Sequence, residues 1–290
     1  RCLTFKDNGC VAANSIRKTS TMINNESNMN VFSIKKFNTF GLRNSWIQQY
    51  YKTPETFLTQ EAKDYLNVKK QLPIFTNWLM SAGLVDSKDK SQTELSKILA
   101  DYLTTDSALF WQMLWVNLCF DNELCLWFSA NIGYDRLYLR EDLTALMEHT
   151  FNTVPESSRD NALKSLLNTF NETPLGNNMN IGRVIKTGNK VSVRRSPLND
   201  VSLPVMAYSL YRYAEKTGRH SLTVSELYNS EQTDGIVRQF GIEREPLEQT
   251  LRSLEQDVNH VLRAELKMGL DNIILREDLT SEDIIKLMLK

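Results

Sequence analysis

The chain of 290 residues is long enough for one large domain or several small ones, and its hydrophobic share of 41% can supply packed cores. Its net charge of −1 excludes a protein held on nucleic acid by overall charge, so any such contact must be local. Four cysteines are too few for a disulfide scaffold at this length, and we expect a cytoplasmic protein.

The first segment, residues 1–36, is predicted to be a flexible tail or linker. It is rich in Asn, Ser, Thr and Lys and has too few apolar residues to bury. The first residue is Arg1, which suggests a piece of something longer. Cys2 and Cys10 then have two interpretations, either the remnant of an upstream cysteine cluster or two incidental thiols.

Residues 37–105 are predicted to form a winged-helix-like domain, with two helices joined by a turn and followed by a short β hairpin. Asn67-Val68 supplies the turn, and Val68 is expected to plug the core. Pro73 suits the first turn of the second helix, and Gly83 suits its end. This order is typical of winged helices.

Residues 106–181 are predicted to be a helical core region. The apolar run at 107–120 is shorter than the ~20 residues that a bilayer crossing needs, so it indicates a buried helix and no membrane partner. Two further helices follow. The sequence Arg-Glu-Asp-Leu occurs at 140–143 and 276–279, and each copy is expected to open a helix, because acids favour a helix N-terminus.

Residues 182–290 are predicted to be a basic hairpin followed by a second winged-helix-like domain. In "GRVIKTGNKVSVRRS", β-branched residues flank a Thr-Gly-Asn turn, a pattern typical of a hairpin. Its charged residues are all basic. Downstream, "FGIEREPLEQTLRSL" aligns with "LNVKKQLPIFTNWL", with the turn Gly241-Ile242 placed on Asn67-Val68. The predicted fold class is therefore mainly α with small β hairpins, with tandem winged-helix-like units around a helical middle.

The candidate nucleic-acid contacts follow from the charge of these elements. In a winged helix the start of the second helix enters the major groove. The first unit offers lysines and amides there, whereas the second offers Glu243, Glu245 and Glu248, which repel phosphate. With duplex DNA as the expected ligand, the candidate residues are Lys69, Lys70, Gln71, Asn77, Arg183, Lys186, Lys190, Arg194 and Arg195.

The sequence offers no catalytic constellation. His149, His220 and His260 are widely separated and lack neighbours at metal-ligand spacing. No glycine-rich phosphate loop of a known type occurs. We therefore predict no catalytic residue, no metal and no cofactor.

Several stretches in a fixed order carry a resemblance to a known family. They are "FNTFGLRNSW", "LNVKKQLPIFTNWLMSAGLV", "ALFWQMLWVNL", "SSRDNALKSLLNTF" and "SLPVMAYSLYRYAE". From about Phe37 onward the chain resembles a bacterial family of unknown function that accompanies, or is fused to, phosphoadenosine phosphosulfate (PAPS) reductase-like proteins. Such genes lie in neighbourhoods for DNA sulfur modification and phage defence. The resemblance implies a PAPS reductase-like partner.

Three functional hypotheses follow. The leading one is a non-catalytic accessory module that binds DNA, a partner protein, or both. A second is the C-terminal part of a PAPS reductase-family enzyme whose catalytic domain lies upstream, since the "SGGxDS" loop of such domains is absent from this chain. The third is a structural oligomerisation module that uses the apolar middle.

Overall fold

The computed structural model describes residues 34–267 and 269–289, apart from the side chains of Lys35 and Phe37. These residues form a mainly α-helical fold with two small antiparallel sheets, which confirms the predicted fold class. Most of the predicted tail at 1–36, including Cys2 and Cys10, lies outside the described residues.

The N-terminal part is a group of short helices around an aromatic cluster. Trp46, Tyr50 and Phe57 each place a ring edge-on against Phe75, with centroids 5.6 to 6.5 Å apart. These contacts bury Phe75 completely. The elements are two 3-10 helices, Ile34–Phe37 and Glu61–Asp64, and the helices α1 (Asn44–Tyr50), α2 (Leu72–Ser81) and α3 (Glu94–Thr105).

The turn before α2 departs from the winged-helix expectation. Val68 is 48% exposed and plugs no core, whereas its predicted counterpart Ile242 is 1% exposed. Asn67 is not among the residues with positive φ, and α2 begins only five residues later, at Leu72. A single β-bridge between Val85 and Gln92 stands where a wing was expected. The first unit thus lacks the sheet of a winged helix in its described residues.

The middle of the chain is the buried helical region that the sequence predicts. Trp111, Trp115 and Trp127 are each at most 1% exposed. The side chains of Asp106 and Asn122 accept backbone N–H bonds and so begin the first two helices. No described helix is both long and apolar enough to cross a membrane. The helices are α4 (Ser107–Asp121), α5 (Glu123–Asn131), α6 (Arg140–Thr150), α7 (Glu156–Glu172) and α8 (Pro174–Asn177).

The predicted hairpin is present and belongs to a three-stranded sheet. Strands β2 (Arg183–Thr187) and β3 (Lys190–Arg194) pair antiparallel across a turn at Gly188, whose φ of 59° suits glycine. A third strand that the sequence did not predict, β1 (Leu137–Leu139), pairs with the other edge of β3.

In the C-terminal part the elements follow in the order helix, strand, three helices, two strands and a final helix. Gly241 adopts a φ of 65° and ends the third helix of this part, three residues before the fourth begins. The elements are α9 (Leu203–Thr217), β4 (Ser221–Thr223), α10 (Val224–Leu227), α11 (Ile236–Phe240), α12 (Arg244–Gln256), β5 (Leu262–Glu265), β6 (Asn272–Leu275) and α13 (Ser281–Met288), with the sheet order β4-β6-β5.

The two Arg-Glu-Asp-Leu segments have different structures. The first opens α6, as predicted, with Glu141 and Asp142 in the first turn. The second forms a turn in which Arg276 pairs with Asp278. The prediction that this segment opens a helix was wrong, because the following helix is capped by Thr280 and begins only at Ser281.

Candidate nucleic-acid interface

The outer face of the first sheet carries cations and no acid. The register places Leu137, Arg194 and Arg183 in one row across the three strands. Because side chains alternate along a strand, Lys190 and Ile185 lie on the same face. Arg183, Lys190 and Arg194 are all exposed. The opposite face carries Tyr138, Val184 and Val193 toward the core. We call the outer face the basic sheet face.

Few acids compete for these cations. Arg194 approaches Asp135 at 3.4 Å, and both side chains are more than half exposed, so water screens this pair strongly. Arg183, Lys186 and Lys190 form no ion pair within the described part of the chain. Their charges are therefore directed to solvent.

Lys186 lies near the tip of the hairpin on the opposite side from Arg194. It pairs in register with Val191 and is exposed, because the hairpin extends beyond the core there. The hairpin thus presents cations on both sides of its outer end.

Strand β1 adds residues that the sequence analysis did not select. Arg136, which precedes β1, is exposed and lies over the ring of Tyr138 on the side of the sheet opposite Arg194, with its guanidinium carbon 4.9 Å from the ring centroid. Leu137 and Leu139 are 51% and 40% exposed, beside the cations. No local pattern marks this strand, since it has three residues and its partner lies more than fifty residues away.

Arg195 does not belong to the interface, which corrects the prediction. Its side chain is 0% exposed, so it cannot reach a phosphate. Strand alternation turns it away from the solvent side occupied by Arg194. It donates to the carbonyl oxygens of Ser129 at 2.9 Å and Ile132 at 2.8 Å, and to those of Arg238 and Gln239 at 2.8 and 3.2 Å. The two-residue alternation within "SVRRS" was the signal that could have separated the two arginines.

The charge of Arg195 is compensated by dipoles and rings. Ser129 lies in the last turn of α5, and Arg238 lies in α11, where carbonyl oxygens carry partial negative charge. The guanidinium carbon also lies 4.2 Å from the ring centroid of Tyr134. Burial raises the pKa of the neighbouring Tyr134 to about 12, while the charge of Arg195 acts in the opposite direction. Arg195 therefore joins the hairpin to the helical middle and to the C-terminal unit.

Lys69 and Lys70 lie elsewhere, at a cleft of about 560 Å³. Both are exposed, and Lys36 is a third lysine in the lining. Gln71 is engaged within its own loop, because its Oε1 accepts the backbone N–H of Asn67 at 2.8 Å. The remaining candidate, Asn77, is partly buried, with its Nδ2 3.5 Å from the carbonyl oxygen of Lys36.

Helix α7 supports both groups of cations. Ser165 and Asn168 donate to the carbonyl oxygens of Phe40 and Thr39, on the wall of the cleft. Gly182, which leads into β2, lies against the ring of Phe170. Ser165 and Phe170 are five residues apart, which is ~7.5 Å along the helix axis at a rise of ~1.5 Å per residue.

The surface of helix α12 in the C-terminal unit is poorly suited to binding phosphate. Arg244 pairs with Glu248 at 3.0 Å and approaches Asp271 at 3.7 Å. Arg252 also pairs with Glu248, at 3.1 Å. These contacts neutralise the arginines that could offset the acidic start of the helix.

The described residues include no group of three His, Cys, Asp or Glu side chains close enough to hold a metal ion. His149 and His260 are exposed at separate places on the surface.

Comparison with known proteins identifies a shared fold. No protein-family model matches the sequence, and no curated protein matches it. Two solved structures match over most of their length. The chain resembles SspB in fold. A magnesium-bound SspB crystal structure superposes with a TM-score of 0.63 at 16% identity, covering 88% of this chain and 87% of SspB. A second SspB crystal structure gives a TM-score of 0.60 at 14% identity, with the same coverage. Likeness at this level of identity concerns the fold alone.

Proposed function

We propose that this protein is a non-catalytic accessory module that binds duplex DNA through the basic sheet face and the hairpin tip. The observation that carries the proposal is the placement of Arg183, Lys190 and Arg194 on one solvent-facing side of a sheet that has no acid on that side. Lys186 extends the positive charge to the tip of the hairpin.

The shape of the hairpin suits a groove. The major groove of B-DNA is ~12 Å wide and admits a two-stranded β ribbon. Lysine and arginine side chains on both sides of such a ribbon can contact the phosphates that line the groove. These contacts release counterions, so the affinity must fall steeply with salt.

We further propose a PAPS reductase-like protein as partner, in DNA sulfur modification or phage defence. This part rests on the sequence resemblance alone. The alternative is an enzyme whose catalytic domain lies upstream. Reading the gene sequence before Arg1 distinguishes the two proposals, because a reductase domain encoded there would favour the alternative.

We favour DNA binding over the oligomerisation alternative. The apolar run on which that alternative was based, from Leu109 to Cys119 on α4, is buried within the described fold. The apolar pattern is accounted for by the core.

The test is a matched pair of charge-reversal variants. Lys186→Glu with Arg194→Glu changes the net charge by −4, because each substitution changes it by −2. Lys52→Glu with Lys88→Glu makes the same change at exposed sites outside the basic sheet face. Fluorescence anisotropy with a labelled duplex at several salt concentrations measures affinity and its salt slope.

We expect the hairpin variant to lose at least tenfold in affinity, with a salt slope smaller by about two because two phosphate contacts are lost. The control should bind nearly as the parent does. Absence of duplex affinity in the parent at low salt, or equal losses in the two variants, would overturn the proposal.

A further inference from the structure

We propose that the cleft between the 36–40 segment and the loop before α2 is a separate binding site for a terminal phosphate, carried by a nucleotide or by the end of a nucleic-acid strand. Its volume of about 560 Å³ lies within the ~300–1,000 Å³ typical of small-molecule sites. The proposal is independent of DNA binding by the hairpin.

The charge of the cleft selects an anion. Among the described residues, three lysines line it, Lys36, Lys69 and Lys70, and no acidic residue does. None of them has an ion-pair partner among the described residues. Like charges held together without a counter-ion repel one another, and a phosphate placed between them relieves that repulsion.

One wall of the cleft is held rigidly by helices α2 and α7. The carbonyl oxygen of Phe40 accepts from Trp78 Nε1 at 3.1 Å and from Ser165 Oγ at 2.8 Å. The N–H of Leu42 donates to Thr169 Oγ1 at 2.9 Å. The close approach requires glycine at position 41, since a Cβ there would lie 2.3 Å from the backbone nitrogen of Thr169. This wall is formed before any ligand binds.

The opposite wall is ordered by local side-chain bonds. Asn67 Oδ1 accepts the backbone N–H groups of Lys69 at 3.1 Å and Lys70 at 2.9 Å, and its own N–H donates to Gln71. Pro73 then fixes the start of the helix. Because both walls are preorganised, a ligand loses little free energy in ordering them.

The rest of the lining suggests what carries the phosphate. Ile74, Pro73 and Phe40 give an apolar surface for a sugar or base, and Thr39 and Asn38 lie beside it as polar groups. Convergent cations beside an apolar wall suit a nucleoside phosphate better than a bare inorganic anion.

Isothermal titration of the full chain tests the site with four probes: inorganic phosphate, adenosine diphosphate, and a short oligonucleotide with either a 5′-phosphate or a 5′-hydroxyl. The free nucleotide and the phosphorylated strand distinguish the two sources of the phosphate. We expect one of these two probes to bind. Lys69→Glu with Lys70→Glu should lower its affinity at least tenfold, and Lys36→Gln, on the opposite wall, should lower it several-fold.

Two controls make the result specific. The variant with Lys52→Glu and Lys88→Glu should bind the probe like the parent, and so should the hairpin variant with Lys186→Glu and Arg194→Glu. The proposal would be overturned if no probe bound the parent or if binding did not depend on the phosphate. An equal loss of affinity in the Lys52 and Lys88 control would overturn it as well. Duplex binding is measured separately, so the cleft and the hairpin proposals can fail independently of each other.

Discussion

Arg195 is a buried cation that has no carboxylate partner in the described part of the chain. Its bonds to carbonyl oxygens of Ser129, Ile132, Arg238 and Gln239 replace the hydration of the guanidinium. Removing it takes a donor from all four carbonyl groups. Those of Gln239 and Arg238 keep bonds from Trp115 and Tyr134, whereas a buried carbonyl group left without any donor costs roughly 1–3 kcal/mol.

We predict that Arg195→Met lowers the free energy of unfolding by about 3–5 kcal/mol, comparable to breaking a buried ion pair. Arg195→Lys keeps the charge but loses the planar fork of donors, so it should also destabilise the fold, by a smaller amount. Urea denaturation measures both effects.

The adjacent residue provides the control. Arg194→Met removes an exposed side chain and should change stability by less than about 0.5 kcal/mol, while it weakens duplex binding. A similar loss of stability in the Arg194 and Arg195 variants would contradict the assigned division of roles.

Arg194 and Arg195 also show which properties of single residues could be predicted from the sequence. The charge of 183–195 was evident from sequence, and the two-residue alternation places Arg194 and Arg195 on opposite faces. The contacts that bury Arg195 come from the distant helices α5 and α11, which no local pattern indicates. Val68 and Ile242 occupy aligned positions, yet one is exposed and the other buried, because the loop before α2 is ordered by Asn67 and does not follow the Gly241 turn.

At the level of elements, the turn between α11 and α12 depends on glycine for two reasons. Gly241 has a φ of 65°, and an added Cβ would lie 2.3 Å from the ring of Tyr134. Gly218, at the end of α9, has a φ of 69° but open space around it. Comparing substitutions at the two glycines therefore separates the cost of a left-handed backbone from the cost of the contact between a Cβ and the Tyr134 ring.

We predict that Gly218→Ala costs about 1 kcal/mol of stability, from the left-handed backbone alone. Gly241→Ala should cost about 3 kcal/mol, because the ring of Tyr134 must also move. Thermal or urea unfolding of the two variants gives the comparison. If both lose the same amount, the contact with Tyr134 is unimportant.

Elements with strong local signals were the ones predicted from sequence. The hairpin has its glycine turn, and the C-terminal unit has Gly241 followed by an amphipathic helix. Strand β1 was missed because its pairing with β3 is non-local. The expected wing of the first unit is reduced to one antiparallel bridge between Val85 and Gln92, with the polar segment between them as its turn.

For the whole molecule, hydrogen bonds join the C-terminal unit to the helical middle. Trp115 Nε1 donates to the carbonyl oxygen of Gln239 at 2.8 Å, and Tyr208 donates to Asn117 Oδ1 at 2.7 Å. All of these groups are buried. The described residues should therefore unfold cooperatively.

We predict coincident urea transitions by two probes. The five tryptophans all lie between residues 46 and 127, so their fluorescence reports on the first half of the fold. Far-UV circular dichroism reports on helices throughout. Equal midpoints indicate a single transition, whereas an earlier fluorescence or dichroism transition would mean that the two regions unfold separately.

The candidate sites were only partly predictable at this scale. Net charge indicated that any nucleic-acid contact must be local, and the hairpin cations were readable from sequence. The cleft was not, because Lys36 meets Lys69 and Lys70 only through the packing of two loops on α2 and α7.

The bonding of Arg195 has a consequence for behaviour in acid. Surface pairs of the fold depend on ionised carboxylates: bonds from Lys164 and Arg140 lower the pKa of Asp160, so its stabilising contribution is present above its unfolded-state pKa and is lost as the pH falls through the folded value. Carbonyl oxygens and helix dipoles do not titrate in this range. The contacts of Arg195 therefore persist at a pH where the Arg140–Asp160 pair between α6 and α7 is lost, so acid weakens that pair before it weakens the attachment of the hairpin to α5 and α11.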